Sequence, residues 1–297
     1  MNKGMVYAIA AYGMWGLFPL YWKTLQHVPA LEILSHRMTW SLGFVLLLLL
    51  LRRRWTWLKT AVHTPRTILL FFASAVLLSV NWFVYIWGVN AGFIVETSLG
   101  YFINPLVSVL MGVLFLGERL RRWQWLAIGL AAAGVIYLTI RYGALPWISL
   151  TLAGSFALYG LIRKTAPLGS LEGLSLETAL MFFPALGYLI YLEVVGTAAF
   201  GHVNGLTTLL LGFAGVATAV PLLFFAAGAR RIKLATIGIL QYIAPTLQFL
   251  IGVFIYREPF TVDRLIGFCF IWLALVIYSG ENILFSRRHP RLHPVGD

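Results

Sequence analysis

Nine side chains are of the type that could hold a small organic molecule. Asn81, Asn104, Gln241 and Gln248 carry carboxamides, which both donate and accept hydrogen bonds, and Trp15, Trp82, Tyr85, Tyr101 and Tyr242 carry flat aromatic rings. All are set in long apolar runs, where a polar group must find a partner or line a wet cavity. Asn81 and Tyr85 are four apart and Tyr101 and Asn104 three apart, so each pair shares a helical face; Gln241 and Gln248 lie two turns apart on one face. Carboxamides among aromatic walls suit a small polar or zwitterionic solute. The competing reading is that these amides join neighbouring helices, a common use of Asn and Gln in membranes.

A second group is ionisable. Lys23 and Glu32 bracket one connection between apolar runs, and Arg163 and Glu172 bracket another. Such pairs serve as alternating electrostatic latches or, more commonly, as helix caps and snorkelling anchors. His36 and Arg37 sit about one turn inside the second run, and Glu177 occupies the place equivalent to Arg37 in the seventh. An imidazole or carboxylate at membrane depth can relay a proton, which makes these the candidate gating and coupling residues. Pro105 and Pro245 each free a backbone carbonyl one turn back and are the candidate hinges, with a static kink as the alternative.

Catalytic chemistry has little support. The sequence holds no H-E-x-x-H, Walker A loop, G-x-S-x-G or Cys/His cluster. Cys269 is the only cysteine, which excludes a disulfide framework. No catalytic residue, metal or cofactor is expected.

The elements that must position these residues follow from composition. The chain has 297 residues, 60% hydrophobic and 11% charged, with a mean hydropathy of +0.86. An ordinary soluble domain is roughly 25% charged. So much apolar surface cannot be hidden in one soluble core, and the expected solvent is lipid. Apolar runs near the ~20 residues that cross the hydrocarbon fall at Met5–Tyr21, Ile33–Leu51, Ile68–Asn90, Ile94–Leu116, Trp123–Ile140, Trp147–Ile162, Leu174–Val195, Leu206–Gly228, Leu234–Tyr256 and Leu265–Leu284. They are continuously apolar and too long for barrel strands, so the expected fold is an all-α integral membrane protein of ten transmembrane helices. The first run lacks a convincing cleavage site and is expected to stay as a span rather than be removed as a signal.

A net charge of +12 would suggest nucleic acid in a soluble protein. Here the basic residues fall between the apolar runs. Of the 22 Lys and Arg, 17 lie on the side shared by both chain ends and five, Lys23, Arg37, Arg141, Arg257 and Arg264, on the other. Positive charge marks the cytoplasmic face, so both termini are expected there, and no nucleic-acid partner is expected.

The sequence also matches itself at one offset of 140 residues. Lys23 answers to Arg163, Glu32 to Glu172, Ser35 to Ser175, Gly88 to Gly228, Pro105 to Pro245, Gly112 to Gly252 and Glu118 to Glu258. The glutamates carry most weight, because the chain has only eight. The expected organisation is a first five-helix repeat over 1–142, a second over 143–286 and a basic cytoplasmic tail over 287–297. An odd number of spans inverts the second repeat, the architecture of secondary transporters that expose a midplane site to either side in turn.

Four strings carry a family resemblance: E-I-L-S-H-R-M-T-W-S from Glu32 to Ser41, N-W at Asn81 and Trp82, S-L-G-Y-F-I-N-P-L from Ser98 to Leu106, and L-Q-Y-I-A-P-T from Leu240 to Thr246. Together they resemble the RarD-type permeases, in the EamA group of the drug/metabolite transporter superfamily, over essentially the whole chain. The resemblance implies a bacterial inner-membrane permease with two five-helix halves around a central cavity. It points to an amino acid or another small, drug-like metabolite as solute, and singles out Tyr101, Asn104 and Gln241 as pocket residues. The family pattern usually has Gly before the glutamate that ends the ninth helix; here Arg257 precedes Glu258, a departure at the outer mouth. The expected function is secondary-active transport of a small-molecule substrate across the lipid bilayer, with a coupling proton or a counter-substrate left open and no oligomeric state assigned. A non-transporting membrane interaction or lipid-handling protein is the alternative.

Overall fold

In the lipid interior a backbone must satisfy its own hydrogen bonds, which leaves apolar runs of this length to become helices. The computed structural model describes residues 3–52, 65–117, 119–168, 170–229, 231–232 and 240–288. The helices run in the order α1 (Lys3–Gly16), α2 (Phe18–Thr24), α3 (Ala30–Arg52), α4 (Pro65–Asn90), α5 (Ile94–Leu116), α6 (Arg122–Tyr142), α7 (Trp147–Thr165), α8 (Ser170–Val195), α9 (Gly205–Ala229), α10 (Ile243–Leu250) and α11 (Val262–Arg288). Seven of them, α3 to α6, α8, α9 and α11, are long and apolar enough to cross a membrane, and the molecule is an all-α, multi-spanning bundle. Gly117 and Gly143 stop α5 and α6 at a positive φ of 66°, a backbone state that residues with a Cβ avoid.

The fourth run forms a helix with the expected bounds, but the first does not stay whole. Instead of one span over Met5–Tyr21, the chain makes α1 and α2 with a break at Leu17. Pro19 is the physical reason: it has no N–H to offer the Trp15 carbonyl four residues back. The amide of Leu17 still reaches Gly13 O at 3.0 Å, while that of Leu20 turns back to Leu17 O at 3.0 Å. The ninth run also differs. Residues 234–239 lie outside the described residues, and α10 passes at Ile251–Ile255 into a π-helical turn. Glu118 and the tail from 289 lie outside the described residues too.

Small residues let the helices approach closely. Any Cβ placed on Gly228 of α9 would sit 3.0 Å from Ala8 N in α1, and one on Gly215 would sit 2.6 Å from Ser41 N in α3. Further close pairs are α3 with α8 and α9, α4 with α7 and α8, α5 with α7 and α10, α1 with α10, and α6 with α11. The outer surface is apolar, with Phe183, Phe254 and Val194 between 71% and 81% exposed, as a lipid-facing wall requires.

One end of the bundle carries the connections at 25–29, 91–93, 143–146, 196–204 and 256–261, and polar ties cross it. Lys23 Nζ donates to Val89 O and Asn90 O, capping the C-terminus of α4. The Glu258 carboxylate accepts both Ile94 N–H (2.7 Å) and Val95 N–H (2.8 Å) at the N-terminus of α5. Glu32 Oε1 accepts Ala199 N–H at 2.7 Å, and Arg141 pairs with Asp263.

Candidate functional site

Among the described residues, the apolar, closely packed bundle buries an arginine that has no carboxylate partner. Arg37 lies seven residues into α3, about 10 Å along the helix axis at 1.5 Å per residue. It is only 3% exposed, and its Nε and Nη1 meet no hydrogen-bond acceptor. Instead its guanidinium stands 3.8 Å from the centre of the Trp82 ring, 5.3 Å from Trp22 and 5.8 Å from Phe18. Ring faces attract a cation, and this box offsets part of the cost of burying it. Tyr101, Tyr85 and Tyr21 are close enough to interact electrostatically with the same group. The Tyr85 hydroxyl and Trp22 Nε1 are also buried without a partner.

The broken first span builds this site. Because α2 restarts after the break, Phe18 and Trp22 turn inward over Arg37, and Tyr21 O–H donates to Leu210 O of α9. The Trp15 carbonyl freed by Pro19 accepts a hydrogen bond from Gln248 Nε2 at 3.1 Å, so α10 holds the break in place. Trp15 itself packs edge-on against Tyr12 and tilted against Phe225.

Asn81 organises the neighbouring wall. Its Nδ2 donates to Leu152 O (2.9 Å) and Ser155 Oγ (3.0 Å) in α7, and its Oδ1 accepts the Tyr101 hydroxyl at 3.2 Å. Tyr101 in turn meets the edge of Tyr85 at 5.6 Å. Of the residues singled out from sequence, the structure therefore gathers Arg37, Asn81, Trp82, Tyr85 and Tyr101 in one place. Trp15 and Gln248 meet at the helix break.

A second polar cluster surrounds Glu177, seven residues into α8. One carboxylate oxygen accepts the Ser74 hydroxyl at 2.5 Å, the other accepts Tyr159 O–H at 3.4 Å, and Arg163 Nη1 stands 3.8 Å away. Arg163 also lies 5.2 Å from the centre of the Phe71 ring. Glu177 thus has partners from α4 and α7, where its counterpart Arg37 has only rings.

The other singled-out residues are placed elsewhere. Tyr242 stacks on Phe102 at 6.4 Å in a different core cluster, with Phe249, Phe268 and Trp272. Asn104 is half-buried and accepts the Ser108 hydroxyl at 3.5 Å on its own helix; Gln241 lies just ahead of α10. His36 stacks on Phe200 at 4.9 Å, with Nε2 4.0 Å from Glu32 Oε1. Glu172 is partly buried in the first turn of α8. Pro105 and Pro245 are buried within α5 and the first turn of α10. Sequence reasoning missed Phe18, Trp22 and the Pro19 break; the signal was a proline inside an aromatic-rich stretch, F-P-L-Y-W at 18–22.

At the tied end, Arg257 takes φ 52°, the one positive value on a described residue other than glycine. A glycine would adopt it without strain, which gives a physical reason for the Gly that the family resemblance leads one to expect at this place. Next to it, burial pushes the Glu258 carboxyl above its usual range, against the pull of its two backbone N–H donors. A cavity of about 390 Å³ opens at the same end between residues 26–30 and Trp87 and Asn90. The Asn90 carboxamide has no partner there.

Comparison with known proteins accords with this architecture. Residues 2–140 match the EamA-like transporter family. The chain is 50% identical to Protein RarD of Streptomyces exfoliatus over 97% of its own length and 91% of that protein. It is 49% identical to the uncharacterized transporter YojE of Bacillus subtilis, covering 96% of each chain, and 45% identical to Protein RarD of Escherichia coli, covering 97% of each. A crystal structure at 16% identity superposes with a TM-score of 0.58 over 93% of this chain and 97% of that one, a likeness of fold alone. On these similarities the chain belongs to the RarD group of the EamA-like transporter family, membrane transporters rather than enzymes.

Proposed function

We propose that the protein is a secondary-active permease of the bacterial inner membrane that moves a small organic solute by alternating access. Its halves, 1–142 and 143–286, are read as inverted copies, with both chain ends and the tail cytoplasmic. The observation that carries the reading is the polar and aromatic cluster inside an apolar bundle, where Arg37, Asn81, Tyr85 and Tyr101 converge from three helices of the first half against α7 of the second.

Helix packing supports the inversion. A 140-residue shift exchanges α1 with α7, α3 with α8, α4 with α9, α5 with α10 and α6 with α11. Under it the contact of α1 with α9 becomes that of α7 with α4, and the contact of α3 with α9 becomes that of α8 with α4. Likewise α1 with α10 becomes α7 with α5. Gly228 meeting Ala8 corresponds to Gly88 meeting Ile148, 140 residues from Ala8. The charge asymmetry of 17 against five supports the orientation.

Alternation then has candidate parts. Lys23, Glu32 and Glu258 hold the outer end shut, and their release opens it. Glu177, at the equivalent depth from the inner end, is the carboxylate positioned to carry a coupling proton, with a counter-substrate as the other coupling partner. Pro105 and Pro245 supply bends. Purified protein in liposomes, loaded with the metabolite that accumulates in a deletion strain, should show saturable counterflow that Asn81→Ala and Tyr101→Phe weaken. Lipid scrambling without solute counterflow under any ion gradient would instead favour the lipid-handling alternative.

A further inference from the structure

The cluster around Arg37 leaves more donors than acceptors without partners. Three groups are buried with no partner around one point: Nε and Nη1 of Arg37, Nε1 of Trp22 and the hydroxyl of Tyr85. Guanidinium and indole nitrogens only donate, and a phenol can donate as well. Asn81 Oδ1 is already bound by Tyr101; Glu32 Oε1 is bound by the Ala199 amide, and although Glu32 Oε2 is buried without a partner, it forms no ion pair with Arg37. Among the described residues no carboxylate lies within ion-pair distance of Arg37, while Arg163 in the second half has Glu177. A permanent cation without a carboxylate partner inside a membrane bundle has the chemistry to hold an anion.

Resting on the permease reading, we infer that Arg37 anchors a carboxylate of the transported solute. The Tyr85 hydroxyl and Trp22 Nε1 complete its hydrogen bonds, and the organic body lies along Trp82 and Phe18. A carboxylate is acceptor-only when ionised and forms its strongest hydrogen bonds with guanidinium, which matches the donors left open. The rings favour an organic acid over an inorganic anion: Trp82 and Phe18, whose centres stand 3.8 Å and 5.8 Å from the guanidinium, put apolar surface beside whatever the guanidinium holds, which a bare ion would leave unused. The cavity at Asn90 begins five residues, about 7.5 Å, beyond Tyr85 along α4, on the side from which a solute would approach.

The test is thermal unfolding of the full chain in lipid nanodiscs with acetate, phenylacetate and phenylalanine, each set against its carboxamide, with sodium chloride and phosphate as further arms. A saturable upward shift of Tm with at least one carboxylate and none with its carboxamide is expected. Arg37→Gln should abolish the shift, Arg37→Lys should weaken half-saturation by about tenfold, since ammonium does not reproduce the guanidinium fork, and Tyr85→Phe should weaken it less. Equal shifts by acid and amide, a response to chloride or phosphate alone, no shift with any probe, or an undiminished shift in Arg37→Gln would each overturn the assignment. Counterflow is measured separately. Carboxylate binding through Arg37 without counterflow removes the permease reading and leaves the anion site; counterflow of a neutral solute that Arg37→Gln does not alter removes the anion site and leaves the permease.

Discussion

Replacing Arg37 by Met should stabilise the empty protein and abolish transport. Burying one uncompensated charge costs several kcal/mol even after relaxation, taken here as about 5. The rings return part of it: Trp82, at 3.8 Å, contributes about 2 kcal/mol, and Trp22 and Phe18, beyond 5 Å, about 0.5–1 kcal/mol each. Methionine keeps most of the apolar stem and fits irregular space between rings. The balance favours the variant by about 1–2 kcal/mol. Reversible unfolding in mixed detergent micelles, without added solute, measures this directly, and counterflow measures the loss. A variant less stable than the parent by about 2 kcal/mol or more would refute the reasoning, because Arg37 would then be a structural anchor held by its three rings. Added carboxylate should narrow the gap, since a ligand that binds only the folded parent stabilises it by mass action.

Other residues give equally direct tests. Gln248→Leu strips the Trp15 carbonyl of its donor, and Pro19→Ala supplies a new one from the backbone, so the pair should couple by about 0.6–1.7 kcal/mol in a double-mutant cycle; additive effects would mean that the amide is not holding the break. Gly215→Ala puts a methyl 2.6 Å from Ser41 N and should cost about 1–3 kcal/mol in the same unfolding assay. Arg257→Gly relieves φ 52° and should raise stability by about 1 kcal/mol with counterflow retained.

Much of the fold was legible because a membrane imposes length and continuity on apolar runs. The stretch at Ile94–Leu116 has the bounds of α5. The first run shows the limit. Hydropathy averages over Pro19, so Met5–Tyr21 reads as one span, whereas the backbone is decided by a single missing N–H. Site residues were legible as types rather than as partners. Asn81 and Tyr101 stand out as polar groups in apolar runs, and they do meet. Tyr242 stands out by the same criterion yet packs against Phe102, because a ring on a helix can face any neighbour and one-dimensional spacing does not name that neighbour.

The sequence by itself determined the solvent, the helical class and the 140-residue correspondence, since these depend on composition and on residue order along the chain. Which charges are neutralised was decided by tertiary structure alone. Arg37 and Glu177 occupy equivalent places in the two matched segments, yet packing surrounds Glu177 with Ser74, Tyr159 and Arg163 and surrounds Arg37 with aromatic rings. The difference arises because partners come from helices far away in sequence, brought close by small residues and by one broken span. A buried charge is defined by what faces it, and only the assembled bundle fixes that.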